Sequence, residues 1–157
     1  MISAITNEEK VRFMVYCEAM TQAKLITFMR RLVKDAGRKV YLILDNLKPH
    51  HGKNVTEWLE AHKDKIAVFY LPSYSPEVNP DEYLNGDLKT SVHSGAHAGT
   101  ETGLKHKTQS SMRTLVKRPN RVKSYFGHPI VTYAQRNRFR YLIAGLIVAK
   151  DGSGKTY

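Results

Sequence analysis

Cysteine is nearly absent. The one present, Cys17, excludes an internal disulfide. It lies in an apolar segment, so it is expected as a buried thiol. No run of 18 or more apolar residues occurs, so no membrane-spanning helix is expected. The longest late candidate, "YLIAGLIVA" at 141–149, is too short. The start "MISAITNEEK" lacks the basic-then-apolar layout of a signal peptide. These absences fit a reducing cytoplasm.

Acids are scarce in one region. Residues 1–86 hold 12 Lys/Arg against 11 Asp/Glu, whereas residues 87–157 hold 13 against 3. The net charge of +11 therefore sits in the second part. Such asymmetry suits a polyanionic partner, most often nucleic acid. At 157 residues and 41% hydrophobic, the chain has the size and core material of one globular domain.

The periodicities give an α/β pattern. Residues 2–6 and 11–16 read as two strands around "NEEK", with Val11, Phe13 and Val15 alternating against Arg12, Met14 and Tyr16. Residues 21–36 form an amphipathic helix with Leu25, Phe28, Met29, Leu32, Val33 and Ala36 on one stripe. Thr21 caps its start and Gly37 ends it. The apolar run "VYLIL" (40–44) suits a central strand covered on both faces. A helix over 53–63, a strand over 66–71 and a helix from Pro80 follow. Residues 93–103 read as a Gly-rich linker or a frayed helix end, and residues 104–117 as a basic helix.

Two stretches carry candidate chemistry. Asp45 ends the buried strand in "LILDN". A carboxylate at that end of a strand sits where α/β proteins place ligands, although "DN" also opens ordinary turns. In "PSYSPEVNPDEYLN" (72–85), Asn79 suits a helix cap and Pro80 the first helical position. Asp81 and Glu82 then favour the positive end of the helix dipole, which already explains "NPDE" as a helix start. Taken together the acids say more. Between Asp45 and Glu82 lie 36 residues, read as one helix and one strand that return the chain to the same sheet edge. Carboxylates converging there repel unless a divalent ion joins them. Mg²⁺ is held by one or two carboxylates with phosphate oxygens and water. Paired ions serve phosphodiester cleavage.

Residues 42–89, "LILDNLKPHHGKNVTEWLEAHKDKIAVFYLPSYSPEVNPDEYLNGDLK", resemble the second half of the catalytic domain of bacterial insertion-sequence transposases of the mariner superfamily. "DN" with a downstream His, "LPSYSPEVNP", "DE" and "LK" occur in order. Weaker resemblance extends through "MISAITNEEKVRFMVY" and "RPNRVKSYFGHPIVTYA" (118–134), and so covers about residues 1–134. The resemblance implies a ribonuclease-H-like mixed sheet with flanking helices. It makes Asp45 the second and Glu82 the third acid of a DDE triad. Both would hold Mg²⁺ or Mn²⁺ for DNA strand cleavage and strand transfer. Asn46 and His50 fall in accompanying positions, with His51 a weaker candidate. Lys89, two helical turns after Glu82, falls on the same face. Asp81 is rotated by about 100° from Glu82, so Glu82 is preferred. Asn85 stands where distant relatives often have Trp.

The family's first acid lies on a strand upstream of the part resembling "MISAIT". No acid here replaces it: Glu8 and Glu9 fall in a hairpin turn and Glu18 beyond the second strand. The chain is therefore expected to be an N-terminally truncated α/β domain lacking the first strand, with one sheet position unpaired. It would be inactive alone. The alternative is a non-catalytic DNA-binding remnant that pairs with or inhibits full-length transposase. Expected partners are DNA, a second copy, or an upstream transposase half.

Arg113, Lys117, Arg118, Arg121 and Lys123 cluster with Tyr125 nearby, a composition suited to tracking phosphates. A solvated helix face gives the same composition. Residues 135–157 read as a C-terminal extension with one adventitious strand or helix. Its "GSGKT" fails the phosphate-loop pattern, because Ala149 stands where a Gly is needed.

Overall fold

The computed structural model describes residues 1–46, 48–72, 76–94, 100–134 and 141–146. Strands β1 (Ile2–Thr6) and β2 (Val11–Met14) form an antiparallel hairpin. Thr6 closes its turn. The Thr6 amide donates to the Lys10 carbonyl at 2.9 Å, and the Thr6 hydroxyl oxygen accepts from the amides of Glu8 and Lys10. Glu8 and Glu9 lie in this turn, Glu9 at φ 67°.

Helix α1 (Gln22–Ala36) follows. The Thr21 hydroxyl oxygen accepts from the Lys24 amide at 3.3 Å, and Gly37 at φ 63° ends the helix. That left-handed backbone costs glycine little. Cys17, expected buried, is exposed. The physical reason is that β2 ends at Met14, so residue 17 lies on the connection leaving the sheet and has no core beneath it.

Strand β3 (Val40–Leu44) runs parallel to β4 (Ile66–Tyr70), with a 3₁₀ turn (Lys48–His51) and helix α2 (Lys53–Ala61) between them. A second 3₁₀ turn (Pro76–Val78) leads into α3 (Asp81–His93), followed by α4 (Glu101–Val116) and α5 (Pro119–Ser124). A third 3₁₀ segment spans Pro129–Ala134. Helix α4 starts earlier than its periodicity indicates, because the Thr100 hydroxyl oxygen accepts from the Gly103 amide.

The last strand changes the picture. Strand β5 (Tyr141–Leu146) lies inside the sheet, in the order β2-β1-β5-β3-β4. It is antiparallel to β1 and parallel to β3. The sequence predicts an unpaired sheet position, yet this apolar segment fills the space between β1 and β3. A strand from beyond residue 134 thus shares the sheet with the strands before it. "GSGKT" lies outside the described residues.

Helices cover both faces of the sheet. Ile2, Ala4, Leu42 and Leu44 pack with Leu25, Phe28 and Leu32 of α1 and with Val55 and Trp58 of α2. On the other face Ile5 and Val11 pack with Leu84 and Leu88 of α3, Met112 of α4 and Phe126. This is a mixed α/β domain. Among the described residues no helix is long and apolar enough to cross a membrane.

Candidate active site

Asp45 follows the last residue of β3, and its side chain is 26% exposed. The 3₁₀ turn that comes next folds back on it. His50 is fully buried, and its Nδ1 lies 2.8 Å from the Asp45 carbonyl oxygen and 3.0 Å from Asp45 Oδ1. The carbonyl is the better-aligned acceptor. With Nδ1 carrying the proton, Nε2 is left as a bare acceptor, buried with no hydrogen-bond partner. Asp45 Oδ1 is likewise buried and lacks a well-aligned donor. Asn46 and His51 pair through Oδ1 and Nε2, and the His51 ring packs on Tyr70 with centroids 4.2 Å apart. The Tyr70 hydroxyl donates to the His50 carbonyl at 3.0 Å. The parallel strand β4 therefore braces the turn that braces Asp45.

Tyr16 was not singled out by the sequence. Its buried hydroxyl has no hydrogen-bond partner. Burial, and then the negative charge of Asp45, push its pKa up to about 12. Only the fold brings residue 16 towards residue 45, so no local signal marks it.

Helix α3 opens with its two acids in different roles. Asn79 is buried and its Oδ1 accepts from the Asp81 amide at 3.0 Å; the helix begins one residue later than its sequence predicts, with Pro80 rather than Asn79 at the N-cap position. Asp81 is fully buried. The Ser3 hydroxyl donates to its two carboxylate oxygens at 3.0 and 3.2 Å. Glu82, one step round the helix, is exposed, as is Lys89 on the same face. Asn85 is buried, and its Oδ1 has no hydrogen-bond partner.

Ser3 sits opposite Gly145 in the β1–β5 pairing, and Leu44 sits opposite Ala144 in the β3–β5 pairing. One further step along that register puts position 145 beside Asp45. The Asp81 anchor thus holds the start of α3 over β1, two strand spacings or ~10 Å from β3. Asp45, Asn46, His50 and His51 form one connected cluster. Glu82 shares the sheet end without a described bond to that cluster. Strand β5, "YLIAGL", contributes no carboxylate between them. Among the described residues no group of three or more His, Cys, Asp or Glu is poised to hold a metal ion.

The five basic candidates divide. Arg121 donates to both carboxylate oxygens of Asp87 on α3 at 2.6 Å, and the Tyr125 hydroxyl donates to the same carboxylate. Arg121 holds the Asp87 carboxyl below its usual range. Burial and then Asp87 raise the Tyr125 pKa. Lys123 lies 3.4 Å from Glu9. Arg113, Lys117 and Arg118 are exposed and make no ion pair among the described residues.

The structure thus puts a partly exposed carboxylate at the exit of β3 and the two acids that open α3 two strands away, over β1. The family model for DDE superfamily endonucleases matches residues 1–105, and the chain belongs to this family. Membership points to a transposase-like nuclease function with DNA as substrate, in a family that generally uses divalent metal ions. Comparisons with curated proteins and with solved structures gave no match.

Proposed function

We propose that this chain is part of the catalytic region of a mariner-superfamily insertion-sequence transposase, with a ribonuclease-H-like arrangement. The whole enzyme performs metal-dependent DNA strand cleavage and strand transfer. This chain contributes Asp45 and Glu82 to the Mg²⁺ or Mn²⁺ site. The observation that carries the reading is the braced Asp45 corner, within the segment matched by the family model. Asp81 is bonded to Ser3, which leaves the exposed Glu82 as the available acid. His50 and Asn46 are positioning residues: His50 fixes Asp45, and Asn46 steadies the turn through His51. Lys89 and the cations of α4 and α5 would meet phosphates.

The donor set for two ions is incomplete among the described residues. Residues 1–157 are therefore expected to be inactive alone, because the two-ion site needs a further carboxylate. The test is plasmid nicking in Mn²⁺ by the purified chain. No nicking above background is expected. Robust nicking that disappears in Asp45→Ala would overturn the inactivity.

A second reading, a DNA-binding remnant that pairs with and inhibits full-length transposase, is favoured by β5. A strand without an acid already occupies the place beside β3.

A further inference from the structure

An open groove of about 670 Å³ runs between α3 and α4, with α5 at one end. Its polar lining includes Thr90, Ser91, Ser111, Thr114, Arg118 and Arg121. The Ser91 and Ser111 hydroxyls lie 2.9 Å apart across it. Asp87 is the acid of the lining, and it is balanced by the bidentate bond from Arg121. Arg118 is then left as the unpaired charge. Hydroxyls with a fixed and a free guanidinium suit phosphodiester oxygens, which accept hydrogen bonds and carry negative charge.

The groove also sorts the basic residues. Thr114 and Arg118 lie one turn apart on α4 and its end, and both line it. Arg113 and Lys117 do not. We propose that this groove is a binding site for the DNA sugar–phosphate backbone, with Arg118 as its principal cation and the Asp87-held Arg121 as a pre-oriented second. The inference rests on the DNA-binding reading of the chain and narrows it to one surface. The strong positive balance of residues 87–157 would draw the duplex to this side.

The test is fluorescence anisotropy of a labelled DNA duplex with the full chain, titrated at several salt concentrations. Arg118→Ala should weaken binding several-fold and reduce the slope against log salt by about 1, as expected for one lost phosphate contact. Arg113→Ala and Lys117→Ala should change affinity less. Ser91→Trp and Thr114→Trp fill the groove without changing charge. Both positions are exposed, so circular dichroism should show unchanged folding while affinity falls several-fold. Tight DNA binding that ignores both tryptophans would overturn the groove and leave the DNA-binding reading standing. An absence of DNA binding by the unmutated chain at low salt would overturn both.

Discussion

Strands β3 and β5 run side by side through the middle of the sheet, and they differ at one end. β3 leads directly into Asp45, whose carbonyl oxygen lies 2.8 Å from His50 Nδ1. β5, in register beside it, is "YLIAGL" and offers no acid. The two supply equivalent backbone pairing and unequal chemistry. A position in a sheet can thus be filled by backbone pairing without carrying an acid.

The first way to break this comparison is to remove the backbone role of β5. Ile143 stands opposite Ile5 of β1 and Ile43 of β3. Proline there deletes a ladder donor and leaves its acceptor unmet, at a cost of about 1–3 kcal/mol, in a central strand where proline is not otherwise found. Ile143→Pro should abolish cooperative thermal unfolding by circular dichroism. A near-normal melting curve would mean that β5 is not the link between the β1–β2 hairpin and the β3–β4 pair.

The second concerns the anchor across β5. Ser3→Ala removes the hydroxyl that donates to the buried Asp81 carboxylate. A buried acceptor that loses a donor costs about 1–3 kcal/mol, readable as a lower urea midpoint. An unchanged midpoint would show that the start of α3 is held by other means.

The smallest effect belongs to the middle of α3, away from the strand pair. Arg121 depresses the folded-state pKa of Asp87. A depressed carboxylate pKa adds stability above the unfolded value, about 3.9, and that stability is lost as pH falls through the folded value. Asp87→Asn should therefore lower the melting temperature slightly near neutral pH. The gap to the unmutated chain should close in acid. The Arg121 side chain is exposed and that of Asp87 partly so, and screening keeps the effect small. A gap that widens in acid would reverse the sign.

Much of this was legible in the residues. Period-two alternation marked the hairpin, and the three-and-four spacing of Leu25, Phe28, Met29 and Leu32 marked α1 and its buried face. The exit of Asp45 from a strand was also readable, and the start of α3 was readable to within one residue. Most of the misses share one cause, which is distance along the chain. The partner of Asp81 is 78 residues away and that of Arg121 is 34 away. No local pattern says that residues 141–146 pair between residues 2–6 and 40–44. Cys17 failed differently: its neighbours are apolar, but the strand they suggested ends before it.

The proposed metal site turns most directly on whether β5 leaves it short of an acid. Position 145 faces Ser3 in register and is the next step beyond the Leu44–Ala144 pair. The decisive measurement is a Mn²⁺ titration of the unmutated chain beside Gly145→Asp, with folding checked for each. No saturable binding by the unmutated chain is expected. Binding should appear in Gly145→Asp and be lost again when Asp45→Ala is added. Saturable binding by the unmutated chain that depends on Asp45 would contradict the shortage of an acid.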